Sequence, residues 1–183
     1  TSIPLAKGNY LRSSDPVANL TTKCVNWYWE TDYDLYVSKG SVANVTTYVQ
    51  NVFNQVQTLY ANDGVSITLK TLFVWSTVDP YTGTTTSNYL DQFGVNRTSF
   101  DGDLATLLGT AGGGGIAWIN GLCNSQAKYK MAYCGISNNY STVPTYSWTV
   151  EVVTHEQGHL LGSRHTHDCV WNGNNTKIDG CGD

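Results

Sequence analysis

Charge is scarce in this chain: Asp, Glu, Lys and Arg supply only 13% of its 183 residues, about half the usual share. The small surplus is negative, −4 at pH 7 with a pI near 5.4. That balance excludes the basic footprint of a protein that binds nucleic acid or an anionic membrane surface. Long apolar runs are missing too. The longest uncharged stretch, residues 104–127, contains four consecutive glycines and several polar side chains, so it cannot span a bilayer. No signal peptide is visible in the sequence, which opens with Thr1-Ser2-Ile3-Pro4 instead of a basic and then an apolar region. This is the opening expected of a mature or trimmed chain, and it says nothing about a leader. None of the five cysteines (Cys24, Cys123, Cys134, Cys169 and Cys181) stands in a C-x-x-C pair, which excludes a thiolate zinc knuckle and a thioredoxin-type redox motif. Disulfides are expected instead, Cys169 with Cys181 around a Gly- and Asn-rich loop and Cys123 with Cys134 across a hairpin, leaving one cysteine over.

What remains is enough for a folded domain. Hydrophobic residues make up 40% and aromatics 12%, which excludes intrinsic disorder and provides one core for a chain of this size. With so little charge, the surface must be covered by Thr, Ser, Asn and Tyr. That habit leads us to expect a secreted, extracellular protein, taken to be a monomer; five N-x-[ST] sequons at Asn19, Asn44, Asn96, Asn139 and Asn174 would carry glycans only in a eukaryotic secretory pathway.

Periodicity organises the chain. Residues 24–30 alternate Val25, Trp27 and Trp29 against Asn26, Tyr28 and Glu30, the pattern of a half-buried strand. From Ser41 the period becomes helical: Val42, Val45, Val49, Val52, Phe53, Val56, Leu59 and Tyr60 form one apolar stripe. Ser41 supplies the N-cap and Asn62-Asp63-Gly64 the stop. Alternation resumes over residues 65–75, so strand, long helix and strand read as a right-handed crossover between parallel strands. A turn at 79–83, a weaker helix around 86–93 and a strand within 101–109 are expected next. Gly112 to Gly115 precede a short β segment at 116–119, and a second at 129–133 closes a hairpin at the sheet edge. No G-K-[ST] comes after the glycines, so they read as closely packed backbone and not as a phosphate loop. Residues 146–161 form a second long helix. The expected class is α/β, with one mixed, mostly parallel sheet and two main helices in a single domain over residues 1–183.

All four histidines fall between His155 and His167, in the run His155-Glu156-Gln157-Gly158-His159-Leu160-Leu161-Gly162-Ser163-Arg164-His165. On a helix, His155 and His159 stand one turn apart on the same face, so both imidazoles can hold one Zn²⁺ ion. Glu156 lies about 100° round the helix, where it cannot chelate with them but can act as general base on a water. A bend at Gly162 brings His165 back as third ligand, and the fourth position stays open, as catalytic zinc requires. His167 is an alternative third ligand. Asp168 is better placed to orient an imidazole than to bind the ion.

This segment resembles the extended H-E-x-x-H-x-x-G-x-x-H motif of the metzincin zinc endopeptidases. Within them, the adamalysin (reprolysin-like) family is most similar: a Gly-x-Ala-aromatic stretch (Gly115 to Trp118) and Gly121-Leu122-Cys123 precede the zinc helix, and cysteines come after the last histidine. The resemblance implies a zincin-like, five-stranded sheet whose outermost strand lines the cleft. That strand is expected at residues 129–136, from Tyr129 to Ile136, with a peptide or protein substrate antiparallel to it. The resemblance also implies internal peptide-bond hydrolysis and allows a structural Ca²⁺ ion, for which Asp101, Asp103, Asp179 and Asp183 are candidates without an EF-hand spacing. Two departures stand out. Thr166 and His167 separate the third histidine from Asp168, and the single methionine, Met131, lies upstream of the motif. The methionine turn of the family, its lower subdomain and a partner for the odd cysteine are therefore expected beyond Asp183. The rival readings are a non-catalytic zinc-binding module of the same fold and a zinc amidase acting on a non-peptide substrate.

Overall fold

The computed structural model describes residues 24–180. Strand β1 (Val25–Thr31) runs into a short helix α1 (Tyr33–Lys39), then α2 (Val42–Asn62), β2 (Ile67–Val74) and α3 (Thr86–Asn96). Strands β3 (Leu104–Gly109), β4 (Gly114–Ala117) and β5 (Met131–Gly135) come next, and α4 (Trp148–Leu160) closes the regular structure. Local chemistry sets the helix ends. The Ser41 side chain accepts from the Asn44 amide at the start of α2, and Thr85 and Asn88 form a reciprocal capping box on α3. Helix α1 escapes the periodic reading because seven residues are too few to show a stripe. It is framed by Asp32, which accepts from the Leu35 amide, and by Gly40 in the left-handed region at φ +79°.

The sheet order is β2-β1-β3-β5-β4, with β4 alone antiparallel to its neighbour. This is the mixed, mostly parallel five-stranded α/β architecture expected, with the two main helices as α2 and α4, the weaker one as α3, and α1 in addition. The alternation of β1 divides the molecule into two layers. Trp27 and Trp29 are fully buried on one face with the α2 stripe (Val45, Val49, Val52, Val56) and with Val152, Val153 and Leu160 of α4. Tyr28 lies on the other face with Tyr89, Leu90 and Phe93 of α3 and with Leu107, Met131 and Tyr133. Truncating either tryptophan would cost about 3–5 kcal/mol. No helix among the described residues is long and apolar enough to cross a membrane.

Two expectations are corrected. The outermost strand is β4, not the segment from Tyr129 to Ile136. Strand β5 is buried at all five positions and sits between β3 and β4. Its apolar side chains need cover on both faces, whereas the glycines of β4 have little to bury and suit an edge. The Cys123–Cys134 disulfide is also absent. Cys123 is exposed in the β4–β5 connection, Cys134 is buried under α4 with Sγ 3.8 Å from the Val152 carbonyl, and the two are not joined. The register explains this: the residue opposite Cys134 across the hairpin is Gly115. Cys181, Asp183 and Asn19 lie outside the described residues, so the Cys169–Cys181 pairing does too.

Candidate metal centre

Helix α4 places His155 and His159 one turn apart, and the way the helix stops decides where His165 lies. The amide of Leu161 bonds to the Gln157 carbonyl at 3.1 Å, that of Gly162 to His159 at 2.9 Å and that of Ser163 to Gly158 at 2.9 Å. Gly162 takes φ +104°, a conformation that side-chain-bearing residues avoid. The chain then reverses, and His165 faces the helix it has just left. The β4–β5 connection braces the same end: Asn120 donates its amide to the His159 carbonyl at 2.8 Å and Leu122 to that of Leu160 at 3.2 Å. These bonds satisfy carbonyls that a helix terminus otherwise leaves open.

The three rings converge. His159 Nε2 lies 3.0 Å from His155 Nε2 and 3.1 Å from His165 Nε2. One ligand nitrogen from each histidine falls within 4.8 Å of the others. Nitrogens bound tetrahedrally to zinc at about 2.0–2.1 Å stand roughly 3.3 Å apart, so the donor set and its spacing fit a zinc ion. The tautomer is fixed for binding at the central ligand: His159 Nδ1 donates to the Ser163 carbonyl at 2.8 Å, leaving the Nε2 lone pair for a metal. His155, the exposed member, is pushed below the usual histidine range by desolvation first and then by the charges of His159 and His165. That shift favours the neutral form, the one that ligates. The His165 carbonyl accepts from the Trp171 indole at 2.7 Å, which anchors the returning segment. A cleft of about 800 Å³ borders the three histidines, with Tyr60, Glu151 and Arg164 on its walls.

Glu156 points away from the triad toward the sheet. It is buried, and burial alone pushes its carboxyl up to about 7. Nothing among the described residues donates a hydrogen bond to it. Its side chain packs against Gly115 of β4 so closely that a Cβ there would lie 2.5 Å from Glu156 Cγ. His167 does not join the triad; its ring stacks on His165 with centroids 5.0 Å apart. Asp168 lies between the two, 4.0 Å from His165 Nδ1 and 4.0 Å from His167 Nε2. These three form a second group of ligand type, but it shares His165 with the first. The acids named for calcium are engaged elsewhere: Asp101 pairs with Lys70 at 2.5 Å, and Asp103 accepts from the backbone and side chain of Asn26. None of Asp101, Asp103 and Asp179 falls in a ligand cluster among the described residues.

Residues 21–182 match the family model Reprolysin_5, metallo-peptidase family M12. The chain belongs to that family. It is thus a metzincin-like member of a zinc-dependent peptidase family, as the motif resemblance implied. Solved structures agree on the fold. The M12 chain superposes with a TM-score of 0.57 on a protein from the "Structure of a chaperone-substrate complex", at 15% identity over 80% of this chain and 24% of the other. Metalloproteinase-II from Bacteroides fragilis matches with a TM-score of 0.50 and 16% identity, over 84% of this chain and 46% of the other. The M12 chain therefore spans about a quarter and about half of the length of these two proteins.

The motif led to the three M12 histidines and the acid beside them. It gave no sign of Gly115, Asn120 or Leu122, which reach the site from another part of the chain. The Gly-x-Ala-aromatic stretch was the available signal for the first of them.

Proposed function

We propose that this chain is the zinc-binding catalytic part of an endopeptidase that hydrolyses internal peptide bonds. His155, His159 and His165 would hold the ion, and Glu156 serves as general base. Zinc, when bound, supplies a Lewis acid that polarises a carbonyl and makes water more acidic. The remaining work falls to the chain. The Glu156 carboxylate takes a proton from the attacking water and delivers it to the departing amine. The free edge of β4 offers main-chain groups to an extended peptide, which would add as an antiparallel strand and present its middle, not its end, to the site. The observation that carries this reading is the convergence of three imidazole nitrogens, with the adjacent acid turned toward the sheet edge instead of into the ligand set. The reading includes a monomer in an extracellular setting, the setting being supported by the low charge.

The test is metal analysis paired with hydrolysis of a quenched-fluorescent peptide library. Stoichiometric zinc and chelator-sensitive cleavage inside the peptides are expected, and zinc restores activity after chelation. Protein that holds zinc stoichiometrically yet cleaves no peptide overturns the reading in favour of a non-catalytic zinc module. Turnover confined to non-peptide amides would point to an amidase.

A further inference from the structure

We propose that Gly115 is a positioning residue for Glu156: the missing side chain of this edge-strand glycine is the slot in which the Glu156 carboxyl lies. The proposal rests on the peptidase reading and extends it to the strand that faces the acid.

The glycine run before and within β4 divides into two kinds. Gly112, Gly113 and Gly114 take φ of +80°, +46° and +84°, so the backbone itself asks for glycine there. Gly115 has no such φ; another residue could adopt its conformation. Its constraint is contact. A Cβ built on Gly115 would stand 2.5 Å from Glu156 Cγ, 2.6 Å from Oε1 and 2.8 Å from Cδ. Three consecutive parts of the acid side chain crowd that point, so turning the carboxyl end alone does not clear it.

The direction is set by the strand. Gly115 pairs with Cys134, which is buried under α4. Ala117, two residues on, packs with the α2–α4 core, while Ile116 packs with the α3 core. Position 115 therefore faces α4. The charge of Glu156 is felt at the Cys134 thiol, which places the acid in the same layer. Because the slot opens toward α4, filling it displaces Glu156 but leaves the main-chain edge of β4 and the three histidines in place.

The experiment compares wild type, Gly115→Ala, Glu156→Ala and the double variant for zinc content, kcat, KM and Tm. Gly115→Ala should keep stoichiometric zinc and a KM within about twofold, while kcat falls at least tenfold, the scale of a misplaced catalytic group. Its Tm should drop. In the Glu156→Ala background the same substitution should leave the residual kcat unchanged and raise the Tm, because the added methyl enters space the acid has vacated. Full kcat in Gly115→Ala, or equal losses of kcat and Tm in both backgrounds, would overturn the proposal. If Gly115→Ala alone fails to fold, folding of the double variant supports the slot and its failure refutes it. Wild-type protein that holds zinc and cleaves nothing removes the peptidase reading instead, and the Tm comparison then decides the slot by itself.

Discussion

Glu30 and Glu156 are both buried carboxylates, one on each side of the sheet, and the chain treats them in opposite ways. Glu30, in β1 on the α3 face, is fully buried and answered by four donors: Tyr28 Oη at 2.6 Å, Trp75 Nε1 at 2.6 Å, Tyr81 Oη at 2.7 Å and Arg97 Nε at 2.8 Å. Those partners come from β1, the residues after β2, the turn before α3 and the end of α3, so one carboxylate fastens four segments. Glu156 has no donor among the described residues and sits against bare glycine backbone. A buried acid with every lone pair matched fixes architecture; one left unmatched is costly to keep and is free to move protons.

The largest expected effect breaks the comparison on the Glu156 side. Glu156→Gln should lower kcat by about 10³-fold or more while zinc content, read by atomic absorption, stays stoichiometric. The metal-free variant should also melt higher than wild type, since a neutral amide tolerates burial better than a lone carboxylate. Glu30→Gln should do the reverse. It leaves the half-buried Arg97 guanidinium without its counter-charge, at a cost of about 3–5 kcal/mol in urea unfolding. Activity per folded molecule should remain.

Asp32 sharpens the contrast as an intermediate case. It receives two main-chain donors, Leu35 N at 2.8 Å and Thr110 N at 2.8 Å. Burial, with a smaller push from the charges of Asp34 and Asp79, nevertheless raises its carboxyl to about 6. Its folded value exceeds its unfolded one, so the stability it contributes is complete below about pH 4 and is lost as pH rises through 6. The loss is roughly 3 kcal/mol. Urea unfolding across the range from acid to neutral pH should show this decline in wild type and lack that share of it in Asp32→Asn. The smallest effect belongs to an exposed cap remote from both acids: Thr85→Ala should cost α3 about 1 kcal/mol, measured as a shift in unfolding midpoint, with no change in zinc content.

Much of this architecture can be read from the sequence because it is local. The α2 stripe from Val45 to Tyr60, the Ser41 cap, the alternation of Trp27 and Trp29 and the run from His155 to His165 are each encoded within a few turns of chain. What escapes is set at a distance. Which strand lies outermost depends on how β5 is covered by α3 on one face and α4 on the other, elements distant from each other in sequence, so local pattern puts the edge one strand too far inward. Cys123 and Cys134 suit a hairpin bridge by spacing alone, but the register pairs Cys134 with Gly115. The Glu30 cluster draws on positions 28, 75, 81 and 97, and nothing in their spacing signals that they meet. Three converging histidines are legible in one segment; the slot beside Glu156 is not, because it is defined by a side chain that is missing.

The two bonds from Asn120 and Leu122 to the last turn of α4 have a mechanical consequence. They rivet the connection that leaves the edge strand to the end of the helix that carries the histidines. The edge-strand connection and the last turn of α4 are thereby tied to one another. A displacement of that connection would therefore be felt at the very turn that carries His159.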